Sequence, residues 1–165
     1  MKRTFLSLMT LFAIAITVSS CLKGTEPLQP RDPAAEKDTI QKFITSKGYT
    51  MVEDALVQGL MYQIVARGSE TDTISNSAPV IEITFKETLL DGTVTLESAK
   101  AVFNLLKTIP FSQGAMYSLS KIGKGGHIRL VTPSKYGYGP YIKGKVPANS
   151  PLFYDIELLD VRETE

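Results

Sequence analysis

Two runs of the chain alternate apolar and polar residues with a period of two, and they constrain the fold more than any other feature. Ile81, Ile83 and Phe85 alternate with Glu82, Thr84 and Lys86. Leu152, Tyr154, Ile156 and Leu158 share a second face, with Phe153, Asp155 and Glu157 opposite. Successive strand residues point to opposite sides, so each run is a strand with one face buried and one toward water. Strands of this kind belong to an antiparallel sheet whose apolar face must be covered by something else.

The segments between these runs supply partners and a cover. From Gly59 onward, Leu60, Tyr62 and Ile64 alternate with Met61, Gln63 and Val65, and a polar, turn-rich stretch occupies residues 68–79. Asp91-Gly92 marks a tight hairpin turn, after which residues 93–96 return as a strand. Residues 113–122 predict a short helix, with Met116, Leu119 and Ile122 or Lys121 spaced for one face. Ile128, Leu130 and Val131 form a strand closed by Pro133. Residues 134–150, with three glycines and two prolines, read as a long loop. Ahead of the sheet, Asp38 and Gln41 frame a helix start, Ile40, Phe43 and Ile44 make its apolar face, and Lys47-Gly48 ends it. The sum is an α+β domain: an antiparallel sheet, one short helix, one long loop, and a short N-terminal helix before them.

The amino-terminal residues speak to compartment. Lys2 and Arg3 precede an apolar run from Phe5 to Val18. That run is shorter than the roughly 20 residues a bilayer span needs, and has the layout of a signal peptide. Its exit, Val18-Ser19-Ser20-Cys21, resembles the lipobox of bacterial lipoproteins, which implies lipidation of Cys21, the chain's one cysteine. Leu22 follows rather than Asp, which by analogy with enteric lipoproteins implies the outer membrane; Leu22 does not say which side the domain faces, and the expected location is lipid-anchored in the cell envelope, facing the periplasm. The expected organisation is a signal peptide over 1–20, a lipidated flexible tether over 21–36, a helical segment over 37–58 and the main domain over 59–163. Anchoring comes from acyl chains, at about 0.8 kcal/mol per buried CH₂.

Several classes of chemistry are disfavoured by what the chain lacks. With 18 basic residues, 17 acidic ones and a single histidine, no charge excess points to nucleic acid. One histidine and one lipidated cysteine supply neither a metal cluster nor a nucleophilic triad, so no metal and no cofactor are expected. His127, beside Ile128, reads as a surface or edge residue. Gly123-Lys124-Gly125-Gly126 leads into a strand rather than a helix, so it reads as a turn and not as a phosphate loop.

Four segments, taken together, resemble the FKBP-type peptidyl-prolyl isomerases. They are Gly59-Leu60-Met61-Tyr62, residues 89–94 around Asp91-Gly92, residues 128–134 through Tyr138-Gly139, and residues 152–159. The helix before Gly59 is also similar to what membrane-associated bacterial members carry. The resemblance implies a twisted antiparallel sheet wrapped around the short helix, with an apolar pocket between them roofed by the long loop. It implies Phe85, Tyr138 and Tyr154 as the catalytic positions, with Tyr138 donating to a bound carbonyl. Val146, Ile109, Phe111 and Leu96 are the implied substrate contacts.

This chain departs from the family pattern twice. Thr95 and Leu96 stand where the family reads aromatic-aspartate, so the aromatic wall and the carboxylate are missing there, and Glu97 alternates to the opposite side. There is no Trp for the pocket floor. Alignment from Ile122-Gly123 puts Ala115 at that place; alignment from Thr108-Ile109-Pro110 puts Phe111 or Ser112 there.

Prolyl rotation has a barrier of about 18–20 kcal/mol and needs no acid–base pair. A dry cavity that favours the twisted amide, plus one donor, is enough. The expected partners are therefore proline-containing polypeptides or unfolded exported proteins. The competing readings are a non-catalytic binding module of the same fold in an envelope complex and a purely structural lipoprotein. Tyr136, Tyr138 and Tyr141 serve equally well to pin the loop or to touch a ligand. If the missing groups limit catalysis, Thr95→Phe with Leu96→Asp should raise the rate.

Overall fold

The computed structural model describes residues 28–29, 31–75, 77 and 79–163. The expected signal peptide over 1–20, the expected lipidation position Cys21, and residues 22–27 and 30 of the expected tether lie outside the described residues. The elements run α1 (Pro33–Lys47), β1 (Val52–Glu53), β2 (Met61–Ala66), β3 (Val80–Leu89), β4 (Val94–Asn104), α2 (Gln113–Leu119), β5 (Gly126–Thr132), a 3₁₀ turn (Ser134–Tyr136) and β6 (Leu152–Arg162). The strands form one sheet in the order β1-β2-β5-β6-β3-β4, antiparallel at every pairing.

The alternation in β3 and β6 is what places the core. Ile81, Ile83 and Phe85 meet Leu152, Tyr154, Ile156 and Leu158 on one face, where Leu60, Ile128, Leu130, Ala115, Leu119 and Ile122 complete a buried cluster. Helix α2 is pressed closely onto that face. A Cβ added at Gly114 would lie 2.2 Å from Thr132 Oγ1 on β5, so glycine is needed there for backbone approach. The helix stops at Leu119, three residues short of the expected end at 122.

The other face is covered only in part. Val131 and Phe153 are ladder partners that turn outward. They receive Ile40, Phe43 and Ile44 of α1, with Tyr49 stacked on Phe153 at 5.5 Å between ring centroids. This explains why Leu130 and Val131 are both buried although adjacent. Two pairs further along the same ladder the outward side chains are Arg129 and Asp155, joined at 3.0 Å. His127 bonds the same Asp155 through Nε2; it is half-buried, on a strand interior to the sheet.

Helix α1 begins earlier than its spacing suggested, at Pro33 rather than after Asp38. Asp32 is the N-cap and accepts from Ala34 N at 2.9 Å. Proline at the first helical position lacks only an N–H that no helical carbonyl would have used, so a proline read as tether in fact opens the helix. The end is as expected, with Gly48 in the left-handed region at φ +67°. The Asp91-Gly92 hairpin also forms. Gly92 has φ +94°, and Asp91 Oδ1 accepts from Thr93 N at 2.8 Å.

A buried carboxylate ties the turn after β1 to α2. Asp54 accepts from Leu56 N and Val57 N through Oδ1 and pairs with Lys121 Nζ at 2.7 Å through Oδ2. Burial opposes its charge, but Lys121 and the two amides outweigh that and hold the carboxyl at about 2. Lys121 in turn lies 4.7 Å from the ring centres of both Tyr62 and Tyr117.

Gly114→Ala tests the seating of α2. The added methyl must push the helix off β5, and overpacking of this kind costs about 1–3 kcal/mol. Urea unfolding should show that loss as a lowered midpoint with an unchanged slope.

Candidate active site

The space between α2 and the concave sheet is filled by aromatic rings. Phe85 on β3 contacts Phe111 edge-on at 4.8 Å, and Phe111 stands 6.0 Å from both Phe103 and Tyr154. Phe111 lies two residues before α2, so the helix and the residues leading into it both face the sheet. The residues that the two alignments offered, Ala115 and Phe111, are both buried in this cluster. Ala115 holds the helical position, fully buried, while Phe111 supplies the aromatic from just outside the helix. Ser112, next to Phe111, stands at the N-cap position of α2, and its Oγ accepts from the hydroxyl of Tyr154 at 2.8 Å.

Tyr138 reaches this cluster from the long loop. Its hydroxyl donates to Glu87 Oε2 at 3.0 Å, and Thr95 Oγ1 donates to Glu87 Oε1 at 2.6 Å. Glu87 is only 2 % exposed. Burial comes first in raising the Tyr138 phenol, then the charge of Glu87 and the bond to it, and together they push it up to about 12. Burial raises Tyr154 as well, again with Glu87 as the neighbouring charge.

The loop is held at both ends. Glu36 of α1, itself buried, accepts from Ser134 N at 2.7 Å and from Ser134 Oγ at 3.2 Å, which caps the 3₁₀ turn that launches the loop. At the far end Asn149 Nδ2 donates to Gln29 O at 2.7 Å, and its own N–H donates to Gly139 O at 2.7 Å. Between these ties Val146 is buried against the core.

The remaining positions singled out in the sequence fall as follows. Leu96 is 43 % exposed on β4, directly across the ladder from Glu87. Ile109 is 74 % exposed in the segment before α2 and does not join the cluster. Glu97 does point away, pairing with Lys86 at 3.6 Å. The three loop tyrosines separate: Tyr138 packs on the core, Tyr136 lines a different groove and Tyr141 is 62 % exposed. That groove, of about 570 Å³, runs between α1 and the loop root past Ile40, Met61 and Pro133. It brings together no comparable aromatic and hydroxyl set, and the ring cluster is the candidate site. Gly123–Gly126 is a turn, with Gly126 N bonded to Gly123 O at 2.8 Å.

Two participants escaped the sequence reading. Phe103 sits near the far end of β4, which is longer than expected; the spacing Ala101, Phe103 was the signal. Glu87 continues the period-two face of Ile81, Ile83 and Phe85, and that spacing is the signal that could have found it.

An antiparallel sheet closed on a short helix, with buried aromatic rings and a loop tyrosine between them, defines a prolyl-isomerase type of domain. A family model described as "FKBP-type peptidyl-prolyl cis-trans isomerase" matches residues 71–159, and the chain belongs to that family. It is similar to the Escherichia coli protein named FKBP-type peptidyl-prolyl cis-trans isomerase FkpA, 32 % identical over 158 residues, covering 93 % of this chain and 55 % of that protein. A Haemophilus influenzae protein named a probable FKBP-type peptidyl-prolyl cis-trans isomerase is 35 % identical over 108 residues, covering 62 % of this chain and 43 % of that one. The chain thus spans about half the length of the curated relatives it matches. Among solved structures, the crystal structure of FkpA from Escherichia coli superposes with a TM-score of 0.64 at 32 % identity, covering 80 % of this chain and 60 % of that one. A Pseudomonas syringae peptidyl-prolyl cis-trans isomerase, 22 % identical, shares the fold at a TM-score of 0.60, covering 81 % of this chain and 98 % of that one.

The Tyr138 environment has a direct consequence at high pH. A phenol whose proton is held more tightly in the folded than in the unfolded chain stabilises fully below the ordinary value, about 10. That contribution is then lost as pH rises toward the folded value of about 12. Ultraviolet titration should find one phenol ionising near that upper value, and Tyr138→Phe should remove it and flatten the alkaline fall in stability.

Proposed function

We propose that the protein is a peptidyl-prolyl cis-trans isomerase that assists the folding of exported proteins, held by lipid on Cys21 at the outer membrane and facing the periplasm. The observation that carries the catalytic part is the meeting of Tyr138 with the buried rings of Phe85, Phe111 and Tyr154. A proline ring brought among these side chains leaves water, where the planar amide is best solvated, and the twisted amide gains by comparison. Tyr138 carries the one loop hydroxyl in reach of the cluster, suited to hold the carbonyl before proline while the bond turns. The signal-like start and the lipobox support the lipid anchor and the envelope location.

A second reading has its own support. Phe85, Phe111 and Tyr154 are buried in mutual contact, and the Tyr138 hydroxyl is already bonded to Glu87. A site closed in this way suits a module that grips a proline-containing segment without turning it, as a subunit of an envelope complex.

A protease-free isomerisation assay on the purified protein, with peptides that vary the residue before proline, separates the two. Isomerase action gives a rate above the uncatalysed one. Tyr138→Phe should then lower kcat/KM about three- to tenfold, since a hydrogen bond contributes about 0.5–1.5 kcal/mol. A flat trace from folded protein that still binds the peptides favours the second reading. Metabolic labelling with palmitate tests the anchor: label should enter the wild-type chain and be lost in Cys21→Ser.

A further inference from the structure

We propose that Glu87 is the pocket carboxylate of this chain, a positioning residue delivered from β3 that holds Tyr138 and Thr95 and so sets the geometry of the site. The proposal rests on the isomerase reading above. Where the family pattern would supply an aspartate, this chain has Leu96. Glu87 is the residue directly opposite Leu96 on the β3–β4 ladder, and on its other side it is paired with Tyr154 of β6. Directly opposed residues share a face with Cβ atoms about 4.5–5.5 Å apart, so the two positions address one volume. The carboxylate lost from one strand is thus returned from its neighbour.

The local backbone is arranged to serve it. The register slips between Glu87 and Thr88, whose partners are Leu96 and Val94, so Thr95 is the extra residue of a bulge. Bulges re-aim a side chain. Here Thr95 Oγ1 bonds both the Glu87 carbonyl at 3.1 Å and its carboxylate at 2.6 Å. The second carboxylate oxygen takes Tyr138, from 51 residues away, and thereby ties the loop to the sheet.

Stability alone gives no reason for a charge in this place. Glu87 makes no ion pair among the described residues. Burying a carboxylate with only hydroxyl partners costs more than packing an apolar side chain of similar size. What the charge does provide is a strong acceptor that pre-sets a donor. Tyr138 has one proton to give. In the resting site the Tyr138 hydroxyl donates that proton's hydrogen bond to Glu87 Oε2, and the ring is already in position. When a substrate carbonyl enters, the hydroxyl changes acceptor without the loop having to find its place, and Thr95 continues to satisfy the carboxylate.

Three variants assayed beside the wild type decide the matter. Glu87→Gln keeps the volume but turns one acceptor oxygen into a donor, so one of the two hydroxyls loses its partner. Its kcat/KM should fall about tenfold, with the Tyr138 phenol titrating below its wild-type value of about 12. Leu96→Asp alone should also lose activity, because two carboxylates would then oppose each other across the ladder. Glu87→Gln with Leu96→Asp should recover most of the wild-type rate. The same reasoning limits the expectation that Thr95→Phe with Leu96→Asp is beneficial, since with Glu87 present those changes remove a bond and add a repulsion. Wild-type rates in Glu87→Gln would overturn the proposal. So would a double variant no faster than Glu87→Gln, when circular dichroism shows both folded. A wild-type protein with no catalysis would instead overturn the isomerase reading, and this proposal with it.

Discussion

The structure depends on β6 being bonded along both edges. It is the last strand among the described residues, yet it lies inside the sheet between β5 and β3, and its inward face of Leu152, Tyr154, Ile156 and Leu158 is fully buried. Its neighbours carry the site: Phe85 is paired with Ile156, Glu87 and Leu130 with Tyr154. The β3–β4 hairpin can form locally around Asp91-Gly92. The pairing of β3 with β6 must close a long loop before it is rewarded, which makes the site a late product of folding.

Around that frame, three buried carboxylates perform one task in three places. Asp54 fastens the turn after β1 to α2 through Tyr117 and Lys121. Glu36 fastens α1 to the root of the long loop through Ser134. Glu87 fastens the middle of that loop to the sheet through Tyr138. In each case a segment without its own ladder is positioned by a strong acceptor in a dry setting, where an unmade bond is costly. The N-terminal helix is therefore part of the architecture of the site and not only a spacer beneath it.

Much of this was legible in the residues. The alternation of β3 and β6, the Asp-Gly turn and Gly48 are local signals, and local physics decides them: side chains alternate along any strand, and only certain residues accept a positive φ. Phe85 and Tyr154 could be proposed because periodicity and a family resemblance agreed on them, whereas Tyr138 and Val146, in a loop without period, rested on the resemblance alone. The start of α1 was missed because proline is ambiguous between tether and first helical turn. What resolves it is the docking of Ile40, Phe43 and Ile44 on Val131 and Phe153, residues some hundred positions away.

The sequence by itself determined that the chain folds as an antiparallel sheet covered by a short helix, because burial of an alternating face admits few other solutions. It also determined which aromatic residues were available to a site. Only the tertiary structure decided how they are used. That Phe111 and Ala115 both face the sheet depends on where α2 seats against Thr132. Whether a carboxylate serves the site depends on the register of β3 against β4, because a glutamate on an apolar face is a liability in one strand considered alone. It becomes a partner only when Thr95 and Tyr138 arrive from elsewhere in the chain.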